Sequence, residues 1–139
     1  MAAFAAALDD FRRASSRARG RLGTDGELTL SQYHLLEPLI GDERLATCEL
    51  ALAAGVTAPT ATRMLSGLER EGLIERVPCE ADRRVVHVNL TDDGRERVLA
   101  KRARGDARRA EIFASLSAGE RREAARLLER LATAVEELR

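Results

Sequence analysis

Between residues 2 and about 22, Phe4, Leu8 and Phe11 recur at steps of three and four, with Ala7, Ala14 and Ala18 between and beyond them. That spacing predicts an amphipathic helix. Gly20, Gly23 and Gly26 then crowd a short stretch with Thr24 and Asp25, which is turn chemistry, so the helix is expected to end there. Thr29 or Ser31 can accept a backbone N–H as an N-cap, and Tyr33, Leu35, Leu36, Leu39 and Ile40 follow at helical spacing. Pro38 lies inside this second helix, where it removes a hydrogen bond and crowds the carbonyl of His34. At about 3 kcal/mol in a helix interior, that predicts a kink or an early end.

The next pattern is two helices around one tight turn. Residues 48–54 read as a short helix, Gly55-Val56-Thr57 as the turn, and 58–71 as a second helix stopped by Gly72. Along that second run Ala61, Met64, Leu65 and Leu68 share one stripe, whereas Pro59, Arg63, Ser66 and Arg70 point the other way, so one face packs and one is free. Thr57 is a suitable N-cap, Pro59 is tolerated in a first turn, and Gly72 supplies a left-handed stop. The period then changes to two: Val86, Val88 and Leu90 alternate with Val85, His87 and Asn89, as in a half-buried strand, with 74–77 as its antiparallel partner. The connection 78–84 holds no large apolar residue and is expected to project into solvent. Thr91 caps a further helix whose first turn carries Asp92 and Asp93, both favourable near the positive end of the helix dipole. Running to Leu116 it would be about 40 Å long, and its middle, 101–109, is poor in apolar residues and contains Gly105, so it is expected to cross solvent or bend. Ser117 and Glu120 form a capping box ahead of a last amphipathic helix lined by Leu127, Leu128, Leu131, Val135 and Leu138.

Composition narrows what such a chain can do. Its 139 residues, 45% hydrophobic and 33% charged, fit a single domain over 1–139. The 23 Lys and Arg residues cancel 23 Asp and Glu, so any attraction to a phosphate polymer has to be local. The apolar stretches fall short of a bilayer span and the first residues lack the order of a secretory signal, so a cytoplasmic protein without a membrane partner is expected. Cys48 and Cys79 lie far apart with no C-x-x-C, which excludes a disulfide framework or zinc ribbon as organising element. Cys79, His87 and His34 have no common zinc spacing, and neither a metal nor a cofactor is expected. Four aromatic residues, Phe4, Phe11, Tyr33 and Phe113, are too few for a base-stacking platform. There is no phosphate-cradling glycine loop, nucleophile elbow or Cys/His pair, and no enzyme activity is expected.

A short helix, a glycine turn, a polar-faced second helix and then a hairpin with a basic tip is the order of a winged helix-turn-helix. The expected fold is therefore mostly α with a small antiparallel β-hairpin. Specific residues sharpen it: Leu28-Thr29-Leu30-Ser31-Gln32-Tyr33, then Glu49-Leu50-Ala51 with Gly55-Val56-Thr57, then Thr60-Ala61-Thr62-Arg63 with Gly72-Leu73-Ile74-Glu75-Arg76. Asp82-Arg83-Arg84 and Val88-Asn89-Leu90-Thr91-Asp92-Asp93-Gly94 complete the series. In these elements, taken in this order, the chain resembles the MarR family of bacterial transcriptional regulators along nearly its whole length.

The resemblance implies a homodimer on an imperfect inverted repeat of double-stranded DNA, with 1–28 and 92–139 as dimerisation helices and 29–91 as the DNA-binding lobe. Thr57, Pro59, Thr60 and Arg63 resemble the groove-facing residues of the family's recognition helix, with hydroxyls and the helix N-terminus for phosphates and Arg63 for a base edge. Arg84 resembles the wing arginine that enters a minor groove, with Asp82 restraining it and Arg83 on a phosphate. Repression released by a small aromatic or phenolic ligand is implied, with Tyr33 and His34 near where such a ligand would sit, though core packing suits Tyr33 and surface exposure suits His34. Redox control through Cys48 or Cys79 would need an accessible thiol of low pKa. The zero net charge keeps an alternative open, a winged-helix interaction module that does not read DNA. From Thr57 to Thr91, five arginines face five carboxylates, so a basic footprint has to arise in space.

Overall fold

The computed structural model describes residues 1–20, 27–41, 44–78 and 85–138. The chain divides into two compact units, Met1–Lys101 and Arg102–Arg139. The elements run α1 (Ala2–Gly20), α2 (Leu30–Leu36), β1 (Leu45–Ala46), α3 (Thr47–Ala53), α4 (Ala58–Arg70), β2 (Ile74–Pro78), β3 (Val86–Leu90), α5 (Asp92–Ala114) and α6 (Ala118–Glu137). Residues 23–26 of the glycine-rich segment and the hairpin tip 79–84, including Cys79, Asp82, Arg83 and Arg84, lie outside the described residues.

Local signals set most boundaries. Thr29, not Ser31, caps α2: its hydroxyl accepts from Gln32 N at 3.2 Å while the Gln32 side chain accepts from Thr29 N at 2.8 Å. Pro38 ends α2 at Leu36, and the chain tightens into a 3₁₀ turn over Glu37–Ile40. A proline early in such a turn has no lost hydrogen bond to repair. Helices α3 and α4 close alike. Gly55 and Gly72 sit at φ +64° and +73°, and Val56 N and Leu73 N each reach back 3.0 Å to the carbonyls of Ala51 and Leu68. That is the Schellman closure, which places a left-handed residue just past the helix end.

The sheet has three strands in the order β1-β3-β2, all antiparallel. The expected hairpin is present, with Ile74 opposite Leu90 and Pro78 opposite Val86. The third strand, β1, places Leu45 and Ala46 beside Val88 and His87. Two residues are too few to show a period, so only the pairing reveals it. Of the apolar alternation in β3, Val88 alone is fully buried.

The core of the first unit gathers Leu35 and Leu36 of α2, Leu50 and Ala51 of α3, Ala61, Leu65 and Leu68 of α4, Leu73 of the turn that follows, and Ile74 and Val88 of the sheet. Leu28 and Val98 join it from either side of 29–91. Each such aliphatic side chain contributes about 1.5–3 kcal/mol by leaving water. The start of α5 docks tightly on the turn after α4: Thr91 Oγ1 donates to Gly72 O at 2.7 Å, Thr91 N to Leu73 O at 3.1 Å, and Gly94 N to Thr91 Oγ1 at 3.1 Å. In the second unit, Ser117 Oγ accepts from Glu120 N while Glu120 accepts from Ser117 N at 2.8 Å, completing the capping box of α6. Arg121 lies over the Phe113 ring, 3.9 Å from its centre, and donates to Phe113 O. α5 is helical without interruption through 101–109, whose side chains are mostly exposed.

Candidate DNA interface

Helix α4 is divided along its length. Ala61, Leu65 and Leu68 are wholly buried and hold it to the core, with Met64 partly buried beside them. Thr57, Pro59, Thr62, Arg63 and Arg70 are exposed, and Thr60 is half-buried. Thr57 occupies the N-cap, but its side chain makes no capping hydrogen bond. Its hydroxyl instead lies 2.9 Å from that of Thr60. The expected cap is corrected accordingly: the two hydroxyls satisfy each other, and the first-turn N–H groups keep no intrahelical acceptor. Such an end favours an anion.

The balance of charges resolves in space. The first turn of α4 carries no acidic residue. Arg63 is the only charged side chain between Thr57 and Leu68, and Glu69 lies at the far end beside Arg76 of β2, its carboxylate 3.6 Å from the guanidinium. The N-terminal half of α4 therefore presents hydroxyls, helix-end amides and one cation, while acid and base are paired near its C-terminus.

Arg76 was part of the motif that carried the resemblance, but its role was not legible there. Strand alternation puts it on the same side as buried Ile74, and its Nη2 donates to Thr62 O and to Ser66 Oγ, each at 3.1 Å. An arginine on the inward face of a half-buried strand was the available signal. The Ser66 hydroxyl itself donates to Thr62 O at 2.9 Å, and the Thr62 hydroxyl to Ala58 O at 2.9 Å.

Tyr33 is buried, and its hydroxyl donates to Glu37 Oε1 at 2.6 Å. His34 is half exposed, with Nδ1 3.8 Å from the same carboxylate. Cys48 is the second residue of α3 and is exposed. Among the described residues no group of three His, Cys, Asp or Glu side chains is placed to hold a metal ion. No helix among them is long and apolar enough to cross a membrane.

The arrangement has close counterparts among solved structures. Streptococcus pneumoniae FabT in complex with DNA is 27% identical, with a TM-score of 0.81 over 95% of this chain and 94% of that one. S. aureus MepR in its DNA complex is 25% identical, with a TM-score of 0.77 over 90% of this chain and 94% of that one. BpsR of Bordetella bronchiseptica, whose DNA binding is regulated by 6-hydroxynicotinic acid, is 25% identical, with a TM-score of 0.71 over 91% of this chain and 98% of that one. The model of the MarR family matches residues 28–86, from the buried Leu28 to the first residue of β3. Over residues 28–86 the chain is thus similar to the MarR family, and its fold is that of the winged helix-turn-helix regulators it matches.

Proposed function

We propose that this protein is a homodimeric, sequence-specific DNA-binding transcriptional regulator acting as a repressor in the cytoplasm, and that it catalyses no reaction. The observation that carries this reading is the N-terminal half of α4, a hydroxyl-rich helix end with exposed Arg63, held on the core of the first unit by a buried stripe. Thr57, Pro59 and Thr60 meet phosphates, and Arg63 reads a base edge, where a guanidinium bonded to guanine O6 and N7 is worth about 1–3 kcal/mol of discrimination. From the hairpin tip, Arg84 enters the minor groove with Asp82 restraining it, and Arg83 meets a phosphate. FabT and MepR, both similar to this chain, are held in complexes with DNA. Residues 29–91 form the DNA-binding lobe, and 1–28 with 92–139 supply the dimer contact through the exposed apolar faces of α1 and α6. Two-fold symmetry then sets the recognition helices about 34–36 Å apart on an imperfect inverted repeat.

Release by a small aromatic or phenolic ligand completes the reading, supported by the regulation of BpsR by 6-hydroxynicotinic acid. Such a ligand acts by favouring a dimer whose lobes are spaced wrongly for the operator. His34 is the half-exposed member of the pair on α2 and Tyr33 the buried one, and both face the Glu37 carboxylate.

Fluorescence anisotropy against a genomic-fragment pool and a non-specific duplex over a salt series tests the whole reading. A regulator selects a site and loses affinity steeply with salt. Sequence-blind binding with a flat salt response would instead identify a protein interaction module. Adding aromatic acids to the selected complex reads the ligand step directly.

A further inference from the structure

Helix α4 carries a line of hydrogen bonds along one edge that ends on the sheet. The Thr62 hydroxyl donates to Ala58 O and the Ser66 hydroxyl to Thr62 O, so two successive turns are bonded back on themselves. Arg76, ten and fourteen residues away across the Gly72 turn, then donates from Nη2 to both Ser66 Oγ and Thr62 O. Thr62 O belongs to the same peptide unit as the N–H of Arg63, the residue that faces the groove. The buried Arg76 Nε lies 3.6 Å from Glu69 Oε2, an ion pair that offsets the guanidinium charge.

We propose that Arg76 is a positioning residue for DNA readout: through Ser66 and Thr62 O it holds the middle turns of α4 and so the direction from which Arg63 leaves the helix. This rests on the DNA-binding reading above. Arg76 touches neither base nor phosphate. Because β2 runs directly into 79–84, the same tie couples the recognition helix to the strand that leads to the wing arginines. Precise readout demands this kind of support, since a contacting side chain is only as well aimed as its backbone is held.

The test compares the full-length protein with Arg76→Gln, Ser66→Ala and Ser66→Thr, the last of which keeps the hydroxyl. Hydrogen exchange of the free proteins reads the tie, and anisotropy on the selected site and on a non-specific duplex at several salt concentrations reads its effect. In Arg76→Gln and Ser66→Ala, amides over 62–66 exchange faster, and the ratio of specific to non-specific affinity falls about tenfold, the size of a coupling between contacting groups. Combining the two changes lowers the ratio no further, Ser66→Thr restores it, and the salt slope stays that of the parent. Faster exchange with an unchanged ratio would make the tie structural only and overturn the proposal. A salt slope reduced by about one charge in Arg76→Gln, with Ser66→Ala unaffected, would make Arg76 a phosphate contact and also overturn it. If Arg76→Gln does not fold, the two Ser66 variants decide the question. A parent protein that selects no duplex overturns the regulator reading itself, before any variant is compared.

Discussion

A Cβ added to Gly94 would collide with the backbone carbonyl of Leu73, the group that also accepts the Thr91 N–H. The glycine is there because the first turn of α5 has to touch the turn after α4. Gly94→Ala is expected to destabilise the protein by about 1–3 kcal/mol through overpacking, read as a lower urea midpoint with an unchanged slope. Arg63 is the opposite kind of residue, exposed and on the face turned from the core. Arg63→Ala should leave that midpoint in place, weaken specific DNA binding by about 1–3 kcal/mol and relax preference at one base pair, all measurable by anisotropy on single-base operator variants. Arg84→Ala is expected to lower affinity most where the flanking sequence is rich in A·T, where the minor groove is narrow and most negative. Titrating operators that differ only in those flanks checks it. Arg63 was legible because helical spacing opposes it to Ala61, Leu65 and Leu68. Arg76 was not, because its acceptors lie on another element.

The elements keep their ends by local chemistry. At α6 the Ser117 side chain and backbone N–H both bond to Glu120 and hold its carboxyl below the usual glutamate value. A carboxyl with a depressed folded pKa contributes stability that is complete above its unfolded value and fades as pH falls through the folded one. The N-terminal turn of α6 is therefore expected to loosen only in acid, below the ordinary glutamate range. An NMR pH titration of the Glu120 carboxyl and the Ser117 amide should show both moving together. The capping box at Ser117 and the glycine turns at Gly55 and Gly72 could be read directly, since each involves residues within a few positions of one another, whereas at α2 the sequence left Thr29 and Ser31 open and the Gln32 side chain decided for Thr29. At Thr57 the same reasoning misassigned the hydroxyl, which pairs with Thr60 rather than with the backbone. A cap residue names a preference, and a neighbouring hydroxyl can outbid the amide.

For the molecule as a whole, the exposed apolar side chains are decisive. Phe4, Leu8 and Phe11 on α1, and Leu127, Leu128, Leu131 and Val135 on α6, are 40% or more exposed in the single chain. Such stripes are far more apolar than a solvated helix face requires, and the proposed dimer would cover them. Leu131→Glu should raise the dimer dissociation constant about thirtyfold or more and weaken operator binding in proportion, with the fold of the first unit intact. Sedimentation velocity across a dilution series, alongside circular dichroism, measures both. The neutral net charge places no obstacle in the way of DNA binding, because Glu69 is set beside Arg76 while the N-terminal half of α4 carries Arg63 without an acid.

Helix stripes, the Ser117 cap, glycine stops and the β2–β3 hairpin were written within short windows of chain, where periodicity and backbone chemistry act between near neighbours. The helix-turn-helix spacing, the separate faces of α4 and the effect of Pro38 followed from the same local rules. Folding added what depends on distant partners: the short β1 beside Val88, the close approach of Gly94 to Leu73, and the reach of Arg76 to Thr62 and Ser66. Contacts of that kind join residues ten or more positions apart and have no period of their own, so they exist only once the hydrophobic core has brought the elements together.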